Sequence, residues 1–341
     1  MIYRSRAPLR IGLAGGGTDV SPYSDQFGGA ILNASISLFA YSNIEILPVD
    51  QIIVHAADRN EEEVYEHIKE LPITGKLDLL KGVYNRIQRD FGIPHKGFKL
   101  STFVDAPAGS GLGTSSTLVV AVIGAFVEWL KLPLGDYDIA HYAYQIERED
   151  LKLAGGKQDQ YAAMFGGVNF MEFFEDDKVI VNPLRIRSEY LHELENNLVL
   201  YFTATGRESA SIINEQVKNV NEKNQQSIEA MHQLKQQSKM MKEALLKGKF
   251  DQFGQILDFG FQQKRKMAHN ISNSKIEEIY DAAKAAGASG GKISGAGGGG
   301  FMIFYCPGNS RYKVINALKN FGGEVKNYTF TKNGLTTWTT L

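Results

Sequence analysis

The stretch that decides the fold is Pro107-Ala-Gly109-Ser110-Gly111-Leu112-Gly113-Thr114-Ser115-Ser116-Thr117, in a chain of 341 residues. Apolar residues alternate with others over residues 97–105, which predicts a strand before it. Residues 117–131 run apolar without proline, which predicts a buried helix after it. Glycines between a strand and a helix let successive backbone N–H groups converge, and the helix N-terminus adds about half a positive charge. The stretch therefore predicts an anion-binding loop. The alternative, a plain glycine turn with a serine N-cap, is less favoured for a segment of this length.

The charge of a bound nucleotide sets the next requirement. About half a charge from a helix end cannot balance a triphosphate, so a nucleotide at this loop needs Mg²⁺, held by hard oxygen ligands. The Ser115 hydroxyl is one candidate ligand, and a carboxylate must supply another.

Composition excludes several other classes of protein. Lys and Arg number 37 against 38 Asp and Glu, a net charge of −1, which argues against a nucleic-acid partner. Cys306 is the one cysteine, so no intrachain disulfide or thiolate metal cluster is expected. The longest apolar run, Leu118–Val127, is about half of a membrane span. The N-terminus lacks an apolar stretch of signal-peptide length. We expect a soluble, cytoplasmic protein without a membrane partner.

Glycine is over-represented, with 35 residues, and the excess is clustered in residues 12–17, 109–113 and 287–300, beside apolar runs rather than within a linker. A shift in composition over residues 179–197 marks a candidate boundary. We therefore predict an α+β protein of two domains, residues 1–185 and 190–341. In the second, strands over 198–203, 301–305 and 324–331 and long surface helices within 208–268 predict an antiparallel sheet with helices.

Several short motifs known from other enzymes are present without the flanking structure or the companion motifs that they require. Gly295, Gly297 and Gly300 have the dinucleotide spacing, and residues 287–291 read G-x-S-x-G, but both patterns need a strand before and a helix after them. Here the order is reversed, so a nicotinamide-dependent dehydrogenase is a distant alternative. Asp258-Phe-Gly lacks the other kinase signatures that must accompany it, and no Walker A sequence is present.

Three segments together resemble the GHMP kinases, named for galactokinase, homoserine kinase, mevalonate kinase and phosphomevalonate kinase. They are Ala7-Pro-Leu-Arg10-Ile-Gly-Leu-Ala-Gly-Gly-Gly-Thr-Asp19, the stretch 107–117, and Lys292-Ile-Ser-Gly-Ala-Gly-Gly-Gly-Gly300. Within the family, Arg10–Asp19, Gly155-Gly-Lys157-Gln-Asp159-Gln and Thr205-Gly-Arg207 look most like the bacterial D-glycero-D-manno-heptose 7-phosphate kinases. Fucokinase domains share the Leu-Ala-Gly-Gly opening.

The resemblance implies a GHMP kinase fold, with a ribosomal-S5-like N-terminal domain and a ferredoxin-like C-terminal domain. It also implies that residues 107–116 cradle the phosphates of ATP, while the third segment comes from the other domain and shapes the cleft. The implied reaction is phosphorylation of the anomeric C1 hydroxyl of a heptose 7-phosphate to the 1,7-bisphosphate, with ATP and Mg²⁺. The alternatives are another sugar kinase of this fold, such as a fucokinase, and a non-catalytic sugar or nucleotide sensor.

Residue by residue, Asp159 and Arg10 fall where the family carries catalytic side chains. Glu147 falls where the family carries its magnesium carboxylate, with Ser115 as a second ligand. The residues leave simpler alternatives open: Asp159 as a helix N-cap, and Glu147 as the partner of a nearby basic side chain.

For the acceptor, the resemblance implies that Asp19 binds sugar hydroxyls; the simpler alternative is a turn aspartate. Bidentate recognition favours Arg207 for the acceptor's own phosphate, with Lys157 and Arg265 as rivals. The remaining predicted substrate-binding residues are Gly16, Gly17, Thr18, Gly297 and Gly298.

Overall fold

A computed structural model describes residues 1–66, 68–205 and 209–340. The first half contains β1 (Ile2–Ala14), α1 (Tyr23–Phe27), β2 (Gly29–Ile46), β3 (Gln51–Ala56), β4 (Glu61–Glu66), α2 (Asp78–Asp90), β5 (Phe98–Val104), α3 (Thr114–Leu130), α4 (Asp136–Gln145), α5 (Gln158–Phe165), β6 (Val168–Phe173) and β7 (Val179–Pro183). The second half contains α6 (Ser188–Asn197), β8 (Leu198–Phe202), α7 (Ser209–Asn221), α8 (Gln225–Leu246), α9 (Phe250–Lys264), α10 (Ser274–Ala285), β9 (Gly290–Ile293), β10 (Phe301–Tyr305), α11 (Arg311–Leu318), β11 (Glu324–Lys326) and β12 (Thr336–Thr340).

The first sheet has eight strands, and the predicted anion-binding loop follows its strand β5. Its order is β12-β1-β2-β5-β3-β4, and β6 pairs with both β2 and β7. All pairings are antiparallel except β3 with β5. Helix α3 is apolar around nearly its whole circumference, which requires burial on all sides, and it packs under the sheet beside α2, α4 and α5.

The second sheet has the order β11-β8-β10-β9 and is fully antiparallel. One of its faces carries a core shared with α10 and α11. The other face joins a buried cluster that includes Leu9, Ile11 and Leu13 of β1, Leu200 of β8 and Ile303 of β10. Because this cluster draws on both sheets, the two halves share a continuous apolar core, and the cleft lies at its edge.

Several local predictions change in the structure. Helix α3 begins at Thr114 rather than 117, because Gly113 in the left-handed region starts the turn there. The strand predicted over 324–331 is shorter, ending at Lys326, and α5 was not predicted. The final strand β12 lies in the range predicted for the second domain, yet it pairs with β1. Its four threonines and Trp338 are β-branched and aromatic residues, which suit a half-exposed edge strand beside β1.

In the described part of the chain, no helix combines the length and the apolar character needed to cross a membrane.

Candidate active site

A cavity of about 290 Å³ lies between the two halves and is lined from both. It brings together segments that are remote in sequence. The predicted site residues that line it are Arg10, Gly16, Gly17, Asp19, Gly109, Gly111, Gly113, Thr114, Ser115, Ser116, Glu147 and Asp159. The predicted residues Pro107, Ser110, Leu112, Thr18, Lys157, Gly297 and Gly298 do not line it. Arg207 lies outside the described residues.

The loop before α3 has the backbone that its glycines predict. Gly109, Gly111 and Gly113 have φ values of 71°, 83° and 78°, which residues with a Cβ rarely adopt. Ser110 and Leu112 hold this loop in place: the Ser110 carbonyl accepts the Phe301 N–H at 2.9 Å, and the Leu112 carbonyl accepts the Arg10 N–H at 3.1 Å. The loop is therefore anchored to both sheets, and the N-terminus of α3 faces the cavity.

The third glycine segment closes over this loop. The Ser294 hydroxyl donates to the Gly111 carbonyl at 2.8 Å. A Cβ on Gly111 would lie 2.6 Å from the Ser294 carbonyl oxygen, so this approach requires glycine. Gly297 and Gly298 lie further back, where the Gly298 N–H donates to the Ile271 carbonyl at 2.6 Å. They support the segment, while the cavity wall is formed by Gly295 and Ala296.

Asp159 lies in the first turn of α5 but does not cap that helix. Its Oδ1 lies 2.6 Å from Nη2 of Arg10 and accepts a hydrogen bond from Nε at 2.7 Å. Arg10 Nη1 donates to the Gly111 carbonyl at 2.6 Å. A Cβ on Gly113 would lie 3.1 Å from Asp159 Cγ, so the carboxylate lies directly against the loop. The N-cap interpretation of Asp159 is therefore wrong.

Glu147 lies in a π-helical turn, Ile146–Asp150, which continues α4 and in which the Leu151 N–H donates to the Ile146 carbonyl at 3.0 Å. The wider turn directs the Glu147 side chain to the cavity, where it is 1% exposed. Oε2 accepts a hydrogen bond from Gln160 Nε2 at 2.6 Å, and Oε1 has no hydrogen-bond partner.

These contacts bear on a magnesium site. A buried carboxylate oxygen without a donor is costly, and a divalent cation at Oε1 of Glu147 would satisfy it. Arg148 Nη1 is 3.8 Å from Oε1, so the basic partner that the sequence left open is present but distant. Among the described residues no group of three or more His, Cys, Asp or Glu could hold a metal by itself. This fits Mg²⁺, which is usually held by one or two carboxylates together with substrate phosphates and water.

Asp19 is buried in the wall of the cavity, and its Oδ2 accepts the Gln158 N–H at 3.0 Å. Burial raises the pKa of Asp19, the Gln158 hydrogen bond lowers it, and the nearby Asp159 charge raises it again. Gly156 packs against the Asp19 carboxylate so closely that a side chain there would collide with it. Thr18 supports the turn through a hydrogen bond from its hydroxyl to the Gly15 carbonyl at 2.8 Å.

The rival basic residues are held elsewhere. The Lys157 ammonium lies 2.7 Å from Asp177 and 3.2 Å from Asp25, and its side chain lines a neighbouring cavity of about 150 Å³ instead. The Arg265 guanidinium pairs with Glu277 at 2.6 Å and stacks over the Phe261 ring. Neither residue is brought to the main cavity.

Two lysines that the sequence did not single out do line the cavity: Lys264, the last residue of α9, and Lys292 in β9. Lys292 opens the third glycine segment, so its position was a signal that could have been used. Lys264 follows no motif. Arg148 also lines the cavity and donates to the carbonyls of Leu153 and Gly156 at 3.3 Å, holding the segment before α5.

A second cavity of about 480 Å³ adjoins the first and shares Gly109, Thr114, Ser115 and Leu153 with it. Its other lining residues are mostly apolar: Ala56, Ile73, Leu77, Leu79, Leu80, Val104, Ala106, Ala108, Leu118 and Leu151, with Asp58, Arg59, Gly75 and Asp78. An apolar cavity next to an anion-binding loop can take a flat aromatic ring joined to a phosphate chain.

Residues 78–167 match the family model of the GHMP kinases N terminal domain, and residues 241–324 match that of the GHMP kinases C terminal region. The chain is 48% identical over 335 residues to D-glycero-alpha-D-manno-heptose 7-phosphate kinase of Campylobacter jejuni, covering 98% of each. The crystal structure of a D-glycero-D-manno-heptose 1-phosphate kinase from Bacteroides thetaiotaomicron superposes with a TM-score of 0.85 at 47% identity, covering 99% of each chain. L-fucokinase/L-fucose-1-P guanylyltransferase of Bacteroides fragilis is 27% identical over 334 residues, covering 87% of this chain and 34% of that protein.

Proposed function

This chain belongs to the GHMP kinases, as its motifs predicted, and from that premise we propose that it phosphorylates D-glycero-D-manno-heptose 7-phosphate on the anomeric C1 hydroxyl. The phosphoryl donor is ATP with Mg²⁺, and the product is the 1,7-bisphosphate, a precursor for nucleotide-activated heptose. The observation that carries the proposal is the contact of Asp159 with Arg10 and the glycine loop inside one cavity.

The nucleotide occupies the first half of the protein. Backbone N–H groups of residues 109–116 and the N-terminus of α3 hold its phosphates, and the apolar cavity beside them holds the adenine ring. Oε1 of Glu147 and the Ser115 hydroxyl would hold Mg²⁺, which would neutralise part of the phosphate charge.

The acceptor hydroxyl lies at Asp159. Its oxygen forms the new bond to the γ-phosphorus as the bond to the β–γ bridging oxygen breaks and ADP leaves, and the hydroxyl proton passes to the Asp159 carboxylate. Arg10 holds that carboxylate through a hydrogen bond from Nε and an ion-pair contact of Nη2, and it places its positive charge beside the transferred group. Most of the catalytic effect comes from positioning and charge, which this arrangement supplies.

The sugar lies against Asp19 and the glycine turn at Gly16 and Gly17, with Gly295 and Ala296 opposite. The Asp19 carboxylate accepts from sugar hydroxyls. Thr18, Gly297 and Gly298 act by supporting these segments.

Two observations favour a phosphorylated heptose as the acceptor. The protein of 48% identity is named for heptose 7-phosphate, and the similar solved structure is named for heptose 1-phosphate, so a heptose monophosphate appears in both names. Lys264 and Lys292 also line the cavity beside Gly16 of the glycine turn, and their positive charges suit an anionic sugar.

The test is an ADP-release assay with a panel of free and phosphorylated sugars. We expect the highest kcat/KM for D-glycero-D-manno-heptose 7-phosphate. Preferential turnover of free L-fucose would replace this proposal with a fucokinase. The L-fucokinase/L-fucose-1-P guanylyltransferase of Bacteroides fragilis is 27% identical to the chain. Absence of turnover with every sugar would favour a sensor.

A further inference from the structure

We propose that Lys264 and Lys292 form the subsite that binds the acceptor's own phosphate group, given the phosphorylated sugar substrate proposed above. They replace Lys157 and Arg265 in that role, because the structure places those two at other carboxylates. Neither lysine takes part in the nucleotide or proton-transfer contacts already described.

Both ammonium groups lie beside the glycine turn at Gly16 and Gly17. A Cβ on Gly16 would lie 3.8 Å from Lys264 Nζ and 4.0 Å from Lys292 Nζ, so both groups lie close to one point of the backbone. Lys264 Nζ donates to the Gly295 carbonyl at 2.6 Å, and Lys292 Nζ donates to the Gly12 carbonyl at 2.8 Å. These two hydrogen bonds hold both ammonium groups beside Gly16, and both lysines line the cavity.

The charge around Lys292 is unbalanced. The side chain is nearly fully buried, and the structure records no carboxylate within ion-pair distance of its ammonium group among the described residues. Burial lowers the pKa of Lys292 well below its usual range, and the charges of Lys264 and Arg10 lower it further. An ammonium group has three donors, and one is used by Gly12. A phosphate dianion would supply both the counter-charge and acceptors for the remaining donors.

The γ-phosphoryl group of the nucleotide offers the same chemistry, so its position must be compared. The nucleotide loop contacts Arg10 and Asp159 through Gly111 and Gly113. The lysine ammonium groups donate to the carbonyls of Gly12 and of Gly295, which itself packs against Gly111, and both groups lie beside Gly16. Gly16 adjoins the turn that ends at Asp19, where the sugar lies. The acceptor's phosphate is therefore the better occupant.

The test uses Lys264→Met and Lys292→Met, with Lys266→Met as the matched control. Lys266 is exposed, two residues beyond Lys264, and its ammonium contacts only a neighbouring glutamine among the described side chains. Steady-state kinetics are measured against heptose 7-phosphate, the unphosphorylated heptose and ATP, and binding of heptose 7-phosphate without nucleotide is measured by calorimetry. Thermal melting verifies that each variant is folded.

We expect each cavity variant to raise KM and Kd for heptose 7-phosphate by about 10- to 100-fold, as for loss of a hydrogen bond to a charged group. KM for ATP, and kcat/KM for the unphosphorylated heptose, stay at the wild-type values, and Lys266→Met changes none of these. An increase in KM for ATP in place of the sugar phosphate, or unchanged constants in both variants, overturns the subsite. If the wild-type enzyme itself prefers the free sugar, the proposed function fails and the subsite fails with it. If the wild-type enzyme uses heptose 7-phosphate and the variants bind it normally, only the subsite fails.

Discussion

Replacing Asp159 with asparagine removes one negative charge and the proton acceptor while keeping the shape of the side chain. In the structure that charge faces Arg10 at 2.6 Å and lies against Gly113. Asparagine can still accept a hydrogen bond from Arg10 through its carbonyl oxygen. The substitution therefore separates the chemical role of the carboxylate from its packing.

The expected loss of activity is large and the expected loss of stability is modest. Removing a positioned general base costs about 10²- to 10⁴-fold in kcat, or about 3–5 kcal/mol of transition-state stabilisation. Removing one partner of a fully buried ion pair costs about 3–5 kcal/mol, but Asp159 is 23% exposed and Arg10 keeps its hydrogen bond to Gly111, so about 1–2 kcal/mol is expected here.

The assay combines ADP release, ATP binding by calorimetry and unfolding in urea. The matched control is Asp90→Asn, because Asp90 pairs with Arg86 at 2.7 Å with similar exposure and lines neither the main cavity nor the apolar one. We expect Asp159→Asn to bind ATP normally and to lose turnover, and Asp90→Asn to lose stability with an unchanged kcat. A kcat of Asp159→Asn within about tenfold of the wild-type value would refute the role of this carboxylate.

Three further substitutions test other parts of the site. Glu147→Gln keeps the hydrogen bond with Gln160 but weakens the magnesium ligand, so the Mg²⁺ concentration for half-maximal activity should rise at least about tenfold; an unchanged Mg²⁺ dependence excludes Glu147 as a ligand. Lys157→Met leaves the carboxylates of Asp25 and Asp177 without their ammonium partner, so it should lower the midpoint of urea unfolding and leave KM for the sugar phosphate unchanged. A selective rise in that KM would show that Lys157 binds the phosphate of the sugar. Folding lowers the pKa of Lys292, so below about pH 10.4 the unfolded chain binds more protons than the folded chain does. The stability of the wild type therefore falls as pH falls, by at most about 1.4 kcal/mol per pH unit. Unfolding from pH 7 to 10 should show Lys292→Met more stable than wild type at pH 7, with a difference that shrinks as pH rises; a constant difference contradicts the lowered pKa.

Much of the fold could be predicted where local sequence and tertiary structure impose the same requirement. Residues 98–130 show this best, because an alternating strand, positive-φ glycines and an apolar helix each have a strong local signal. The family resemblance predicted an N-terminal domain followed by a C-terminal domain of the GHMP kinases, and the matches to residues 78–167 and 241–324 confirm that order. The edge strand β12 was missed because five polar and aromatic residues carry little signal until β1 is there to pair with them.

The backbone of the site could be predicted from the sequence, whereas the positions of its basic side chains could be predicted less well. Asp159 was located by its motif, but whether it capped α5 or paired with Arg10 depends on a contact across 149 residues. Bidentate recognition favours arginine as a phosphate ligand, yet Arg265 pairs with Glu277, twelve residues along the chain. Lys264 could not be found because only the packing of α9 against the cleft brings its ammonium group to Gly295.

The most direct test of phosphoryl transfer at this cavity is phosphorus NMR of the product formed from heptose 7-phosphate and ATP. We predict one new phosphate signal per ADP released, coupled to the anomeric proton of the sugar, while the signal at C7 remains. A new phosphate on any other carbon, or inorganic phosphate as the only product, would contradict the account.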